Sequence, residues 1–169
     1  MHTFQPYPID VIEFNPFVKF GQECAALTTE DNEARLNTMT ISWGGVGVLW
    51  GKNVATVYVR ESRYSKELMD AGDYFSITFF EKHYHRSLQY LGAVSGRQED
   101  KFKGAGLTVN RHMAVPFVDE GNFVIICRKL SATKIQMTDF IDPKIEPDYY
   151  GKGDPHTMYV GEIMELLAR

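Results

Sequence analysis

The sequence has little cysteine and no long apolar segment. Its two cysteines, Cys24 and Cys127, lie far apart and form no CxxC pair, so neither a disulfide framework nor a cysteine zinc motif is indicated. No apolar run is long enough to cross a bilayer. Residues 1–6 have neither the basic nor the apolar region of a secretory signal. These absences favour a cytoplasmic protein that does not enter a membrane.

An excess of positive charge is also absent. The 18 Lys and Arg residues against 22 Asp and Glu give a formal net charge of -4. This balance argues against a nucleic-acid coat and a polybasic membrane anchor, since both need excess Lys and Arg. It remains compatible with a small anionic ligand held by a few local cations. With 169 residues, 44% hydrophobic and 24% charged, the chain is expected to form a single domain, 1–169.

Short segments of alternating β-branched and aromatic residues dominate the rest of the sequence. They predict strands at 24–29, 38–43, 54–59, 74–80, 123–127 and 157–163. Helical patterns, each followed by a glycine, occur at 64–71, 85–91 and 99–103. The proline-containing stretch 142–155 is expected to be a long loop. The sequence therefore predicts a mainly β fold, a β-barrel with a few peripheral helices.

The most informative segment joins the end of a strand to the start of a helix. A helix start offers unpaired N–H groups and the positive end of the helix dipole, to which Arg60 and Arg63 add guanidinium groups. With the hydroxyls of Ser62 and Ser65, these groups would suit a phosphate. The alternative is that a serine caps the helix while the arginines pair with surface acids. Glu61 counts against the site, because a carboxylate beside a phosphate is repulsive unless it points away.

A second segment, 37–47, is rich in small hydroxyl and amide side chains and ends in glycines. Such side chains can match the N and O atoms along the edge of a heteroaromatic ring, and glycine lets the backbone approach it closely. Trp43 or Met39 could cover a face of that ring. The alternative is a hairpin with a polar outer face and Trp43 in the core.

Other motifs are weak or absent. His83 and His85 are two residues apart, but two imidazoles without further ligands do not make a zinc site, so we expect surface histidines and no metal. No Gly-x-Ser-x-Gly nucleophile elbow and no dinucleotide-binding glycine fingerprint is present.

Four blocks of sequence carry a resemblance to a known family. They are Asn37 to Gly44, Arg60-x-Ser62-Arg63-Tyr64-Ser65, Leu91-Gly92-x-x-Ser95-Gly96 with Asp100-Lys101-Phe102, and His156-x-Met158-Tyr159-x-Gly161-Glu162. In this order they resemble the flavin reductase-like family of FMN-binding split barrels, which includes flavoredoxin-like proteins. The resemblance extends from about residue 14 to the C-terminus.

The resemblance implies a six-stranded Greek-key split barrel, usually a homodimer, with FMN near the subunit interface. It implies that the isoalloxazine ring is lined by Asn37, Thr38, Met39, Thr40, Ser42 and Trp43. It also implies that the ribityl phosphate is surrounded by Arg60, Ser62, Arg63, Tyr64 and Ser65. NADH or NADPH would then be a hydride-donating co-substrate.

This sequence departs from the family pattern in two places. The family commonly has Pro at the position of Glu61, and Thr at the position of Ser65, where the hydroxyl is kept. Many members also carry a Gly-Asp-His sequence near the last strand, associated with the nicotinamide side of the site. Here Pro155 separates Asp154 from His156, the candidate catalytic residue at the reacting face.

The leading hypothesis is an FMN-binding flavoprotein oxidoreductase, a flavin reductase that passes hydride or electrons from a reduced pyridine nucleotide through FMN. The alternative is a flavoredoxin-like electron carrier that does not oxidise NAD(P)H and docks with a redox partner protein. A third hypothesis is that the barrel binds heme or a deazaflavin, as related split barrels do.

Overall fold

The chain folds into a long antiparallel sheet that curls into a barrel. A computed structural model describes residues 1–169. The strands are β1 (Gln5–Tyr7), β2 (Ala25–Glu30), β3 (Leu36–Ile41), β4 (Gly44–Leu49), β5 (Lys52–Arg60), β6 (Tyr74–Phe79), β7 (Val109–His112), β8 (Val115–Val118), β9 (Phe123–Lys134) and β10 (His156–Ala168). The α-helices are α1 (Pro16–Val18), α2 (Tyr64–Ala71), α3 (His85–Ala93) and α4 (Lys101–Ala105).

The strand order explains why the barrel is split. Neighbouring strands follow the order β3-β2-β6-β9-β10-β5-β4, with β1 added to β10 and β7–β8 forming a separate hairpin. The two ends of this order, β3 and β4, are separated in the chain only by Ser42 and Trp43, so they lie near each other. Yet β3 pairs only with β2, and β4 only with β5. The barrel therefore has an unpaired line between these strands, which we call the β3–β4 seam.

The barrel interior is filled by the inward residues of each strand. Ala55, Val57 and Val59 alternate along β5 and are almost fully buried in the largest core cluster, together with Phe75 of β6 and Tyr159 of β10. The period-two spacing places every second side chain on this face. Removal of these large side chains from water supplies the main stabilisation of the barrel.

Helices cover one part of the outer surface. Leu88 and Leu91 of α3 and Phe102 of α4 form a second buried cluster with Ala26 of β2. Because Leu27, the next residue on β2, points into the barrel, β2 is buried on both faces. This packing fixes α4 close to the end of the barrel where the candidate site lies.

The mainly β split barrel expected from the sequence is confirmed, as are its predicted strands and the helix at Tyr64–Ala71. Four details differ. The main sheet has eight strands, not the six that the resemblance implies. The glycine-rich segment Gly44–Leu49 is a strand, and the helix predicted at 99–103 runs instead over Lys101–Ala105, with Asp100 as its N-cap. The loop expected over 142–155 contains a π-helical turn at Glu146–Tyr150. No helix has both the length and the apolar character needed to traverse a lipid bilayer.

Candidate functional site

Three strands bring the candidate site together at one end of the barrel. Arg60, the last residue of β5, is directly opposite His156, the first residue of β10, in the antiparallel register. The end of β3 and the two-residue link to β4 lie beside them, and α2 begins shortly after Arg60. Two adjacent cavities and a wider groove open here.

The first cavity, which we call the cationic cavity, has a volume of about 180 Å³. It is lined by Asn37, Met39, Ser62, Arg63, Tyr64, Ser65, Ala93, Val94, Ser95, Gly96 and Lys101. Two of these side chains are cationic and none is acidic. Serine hydroxyls and the N-terminal turn of α2, which carries the positive end of the helix dipole, complete the lining.

Lys101 is the one charged residue of this cavity that was not among the predicted site residues, and segment 93–96 was not among them either. Lys101 is 4% exposed, and its ammonium group has no hydrogen bond or ion pair within the chain. Burial, with a smaller effect from Arg63, lowers the pKa of Lys101 to about 8. A buried ammonium group facing a cavity without a counterion is suited to an anionic ligand. The Asp100-Lys101-Phe102 block was the available signal, because Asp100 caps α4 and Phe102 anchors it in the core.

Helix α2 and strand β3 meet at the floor of the cationic cavity. The Asn37 side-chain amide donates a hydrogen bond to Ser65 Oγ at 2.9 Å, and both residues are buried. The Arg63 guanidinium donates to the Gly92 carbonyl at 3.1 Å, which holds the arginine beside the cavity. The structure therefore brings together Arg63, Tyr64 and Ser65, as the sequence predicts, and adds Asn37, which was expected at the ring.

Arg60 and Ser62 have partners within the chain. Asp154 accepts hydrogen bonds from the Ser62 backbone N–H at 2.9 Å and from Ser62 Oγ at 2.6 Å. The Arg60 guanidinium donates to the carbonyls of Asp154 at 2.9 Å and Tyr149 at 3.3 Å, and it does not line the cationic cavity. These two side chains fix the 149–155 loop against the start of α2. Their direct contact with a phosphate stays a prediction.

Glu61 points away from both cavities. Its carboxylate accepts a hydrogen bond from Thr157 Oγ1 at 2.6 Å and lies 3.7 Å from Lys66 Nζ and 3.4 Å from Lys134 Nζ. The Thr157 hydrogen bond is the largest cause of the lowered pKa of Glu61. Because the Glu61 side chain is directed away from the cationic cavity, its carboxylate would not repel a phosphate bound there.

The second cavity, which we call the edge cavity, has a volume of about 210 Å³. It is lined by Met39, Thr40, Ile41, Ser42, Trp43, Tyr58, Arg60, Arg63 and His156. Met39 and Arg63 line both cavities, so the two cavities are adjacent. Thr38 lines neither, because its fully buried hydroxyl accepts a hydrogen bond from Thr28 at 3.1 Å on another face of the sheet. Of the predicted ring-lining set, Met39, Thr40, Ser42 and Trp43 converge here, whereas Asn37 lines the cationic cavity instead.

His156 lies in the wall of the edge cavity. It is 7% exposed, contacts the Trp43 ring at a centroid distance of 4.9 Å, and has Nδ1 2.8 Å from the Tyr150 hydroxyl. Burial, followed by the nearby Arg60 charge, lowers the pKa of His156 to about 4. The imidazole is therefore uncharged at neutral pH, and it can act there as a hydrogen-bonding group but not as a resident cation.

A wider opening, which we call the apolar groove, continues from the edge cavity past Trp43. Its volume is about 690 Å³, and it shares Ser42, Trp43 and Tyr58 with the edge cavity. Its other walls are Pro16, Phe17, Phe20, Gly21, Gly44, Gly45, Val46, Ile135, Phe140, Ile145, Tyr149 and Tyr150. No charged side chain is among them. Trp43 is 40% exposed here, so it is not the core residue of the alternative interpretation.

The remaining histidines that drew attention in the sequence lie elsewhere. His83 and His85 are exposed, and His83 stacks on Tyr84 at a centroid distance of 4.1 Å. No three His, Cys, Asp or Glu side chains are arranged to hold a metal ion.

Fold and site together define a split β-barrel with a cavity lined by Arg63 and Lys101 next to a second cavity lined by hydroxyl, aromatic and guanidinium groups. The family model described as "Flavin reductase like domain" matches residues 17–169. The chain therefore belongs to the flavin reductase-like family. A search of curated proteins gave no match.

Solved structures support the same fold. The flavoredoxin of Desulfovibrio vulgaris (Miyazaki F) aligns with 86% of this chain and 69% of its own at 24% identity and a TM-score of 0.67. An FMN-binding domain of a flavin reductase-like enzyme from Shewanella baltica aligns with 98% of this chain and 77% of its own, at 13% identity and a TM-score of 0.69. Nitrilotriacetate monooxygenase component B from Bacillus cereus aligns over 98% and 82%, at 16% identity and a TM-score of 0.67. At these identities the likeness establishes the fold.

Proposed function

We propose that this protein binds FMN without a covalent bond and uses it as an oxidoreductase. The observation that carries the proposal is the ammonium group of Lys101, which has no hydrogen bond or ion pair within the chain and lines the cationic cavity with Arg63. The adjacent edge cavity adds hydroxyl groups, the Trp43 ring and a second guanidinium, that of Arg60. The dianionic phosphate of FMN suits the first cavity, and the hydrogen-bonding edge and flat faces of its ring suit the second. The FMN-binding protein of Shewanella baltica has the same fold.

The residues present fit this cofactor. Lys101 and Arg63 offset the two charges of the phosphate, while Ser65, Ser95 and the first N–H groups of α2 offer neutral donors. In the edge cavity, Ser42 offers a hydroxyl group for the ring edge, Thr40, whose hydroxyl donates to the Leu88 carbonyl, offers an acceptor oxygen, and Trp43 offers an aromatic face. Bound FMN would supply the ability to accept and release hydride or single electrons.

The chain's own residues would orient the cofactor and leave a reacting face open. Met39 and Arg63, shared by the two cavities, would hold the section between phosphate and ring. His156 would lie at the reacting face as an uncharged hydrogen-bonding group. The apolar groove beside Trp43 would admit the second reactant. We propose that this reactant is NADH or NADPH and that the protein is a flavin reductase.

A flavoredoxin-like electron carrier is a second candidate, and one observation favours it. The groove beside the edge cavity has no cationic side chain to hold the diphosphate of a pyridine nucleotide. Its wall includes Phe17, which is 84% exposed, and Ile141, the residue after the wall residue Phe140, is 98% exposed; such exposed apolar side chains would suit a partner protein. Rapid oxidation of NADH or NADPH by the purified protein supports the reductase, whereas reduction only by a partner redox protein supports the carrier.

A titration with FMN and riboflavin tests the cofactor assignment. Riboflavin lacks only the phosphate, so the cationic cavity predicts that FMN binds more tightly by roughly tenfold or more. Equal affinities would overturn the phosphate assignment. The visible spectrum of unsupplemented protein, and the mass of any ligand released on denaturation, separate FMN from heme and from a deazaflavin.

A further inference from the structure

Tyr150 and His156 form a buried pair behind the edge cavity. Tyr150 is 6% exposed and His156 7%, and the Tyr150 hydroxyl lies 2.8 Å from His156 Nδ1. Tyr150 belongs to the π-helical turn before β10, and His156 is the first residue of that strand. The pair therefore connects the 149–155 loop with the barrel.

The other imidazole nitrogen has no partner in the chain. His156 Nε2 makes no hydrogen bond within the chain. Asn122 Oδ1 is the one side-chain N or O atom that lacks a partner and is also closed off from solvent, so Nε2 must have some accessible surface. Nε2 is therefore open, and the cavity that His156 lines is the edge cavity. An atom bound there can reach this nitrogen.

The direction of the Tyr150–His156 hydrogen bond follows from the chemistry of the two groups. The lone-pair nitrogen of imidazole is a good acceptor, whereas a phenol oxygen is a better donor than acceptor because its lone pair is partly delocalised into the ring. The Arg60 guanidinium lies 5.4 Å from the centroid of the Tyr150 ring and withdraws electron density from it. The hydroxyl therefore donates to Nδ1, and the ring hydrogen remains on Nε2.

Stacking fixes the orientation of both rings. Phe140 is stacked on Tyr150, with centroids 5.6 Å apart and planes 12° apart. On the other side of the pair, Trp43 packs against His156 at 4.9 Å. Rotation of either ring would break these contacts as well as the hydrogen bond.

We propose that Tyr150 is a positioning residue that holds His156 in the Nε2–H tautomer, so that an N–H donor faces the edge cavity and binds an acceptor atom there, such as a carbonyl oxygen. The identity of the molecule that supplies this acceptor rests on the proposed function. The tautomer and its dependence on Tyr150 do not, since both are properties of the protein alone.

The tautomer is measured by long-range ¹H–¹⁵N NMR on flavin-free protein at neutral pH. We expect a protonated Nε2 and an unprotonated Nδ1 in the wild type, and a mixture of tautomers in Tyr150→Phe. Tyr149→Phe is the matched control, because Tyr149 also packs on Trp43 but its hydroxyl is not bonded to His156. It should keep the wild-type tautomer.

A wild-type spectrum with the hydrogen on Nδ1 overturns the proposal, and so does a Tyr150→Phe spectrum identical to the wild type. A kinetic readout follows if the protein turns over a hydride donor. Tyr150→Phe should then lower kcat about two- to tenfold, the cost of one misoriented hydrogen-bond donor. Absence of turnover would count against the reductase activity and leave the NMR result standing.

Discussion

At the scale of single residues, the charged side chains at the site differ in whether they have ion-pair partners. The one that faces the cationic cavity has none, and the one directed away from it has several. Lys101 has no acidic partner, whereas Glu61, which follows Arg60 directly, is held by Thr157 and two lysines on the far side of the strand. A buried ammonium group without a partner costs folding free energy. That cost is offset when an anion binds.

The first prediction concerns Lys101→Met, which keeps much of the side-chain volume and removes the charge. We expect FMN affinity to fall roughly 10- to 100-fold, the value of a charge-assisted hydrogen bond, in a fluorescence titration. Because the pKa of Lys101 is about 8, wild-type affinity should also decline as the pH rises from 7 to 10. The variant should lack that decline.

Lys103→Met is the control for this measurement. Lys103 belongs to the same helix but is exposed and does not line the cationic cavity. Its replacement should leave both the affinity and the pH profile near those of the wild type. If the two variants behave alike, Lys101 has no special part in anion binding.

The second prediction concerns the pH dependence of folding through His156. Its pKa is about 4 in the folded protein and about 6.5 when unfolded, so between these values the unfolded chain binds more protons. The free energy of unfolding should therefore decrease as the pH falls through this window, by roughly 2–3 kcal/mol from this group. Urea denaturation at pH 7 and pH 4, which span this window, measures the change. The free energy of unfolding should decrease less with falling pH in His156→Gln than in His83→Gln, the control at an exposed site. An equal decrease in the two variants would show that His156 is not the cause.

At the scale of elements, the site depends on how closely one loop approaches strand β3 and helix α2. Gly96 lies so near the Asn37 amide and the Tyr64 ring that an added Cβ would come 2.9 Å from Tyr64 Cδ1 and closer still to Asn37. The hydrogen bond from Asn37 to Ser65 lies directly behind this contact. A larger residue would displace the floor of the cationic cavity.

The third prediction is that Gly96→Ala weakens FMN binding while the barrel remains folded. The clash should cost about 1–3 kcal/mol, shared between lower stability and lower affinity. Thermal unfolding monitored by circular dichroism, together with an FMN titration, separates the two effects. Gly47→Ala is the matched control, since a Cβ there meets nothing within 4 Å. Equal affinity of the two variants would show that the close approach of Gly96 is unimportant.

The sequence predicted those elements whose local pattern agrees with their tertiary surroundings. The alternating strand Lys52–Arg60 and the start of α2 at Tyr64 are of this kind. Strand Gly44–Leu49 was not predicted, because glycine has little intrinsic strand preference and pairing with β5 decides its conformation. The role of Lys101 depends on packing across the barrel, and the capture of Ser62 by Asp154 joins residues 92 positions apart. Such contacts have no local signal.

At the scale of the whole molecule, the edge of the sheet remains uncovered. Strand β4 is the last strand in the order, and only one of its sides is paired. Close to its end, Val48 is 74% and Trp50 62% exposed. An unpaired edge with apolar side chains favours association with another chain. With the homodimer implied by the resemblance, this edge is our candidate interface.

The fourth prediction is that the protein in solution has about twice the mass of the 19.3 kDa chain, as measured by light scattering. Val48→Lys should shift the population towards the monomer, because it places a charge in the apolar contact. Met113→Lys, at an exposed apolar position on the β7–β8 hairpin, should not. A wild-type mass near 19.3 kDa would contradict the dimer.

The β3–β4 seam gives the barrel a line along which no backbone ladder resists opening. The edge cavity is lined by β3 on one side and by β5 and β10 on the other, so a bound molecule would contact both sides of the β3–β4 seam. Loading the protein should therefore slow amide hydrogen exchange first in Leu36–Ile41 and Gly44–Leu49, with little effect on strands far from the opening. Ligand binding and stabilisation of the barrel at this seam would then be thermodynamically coupled.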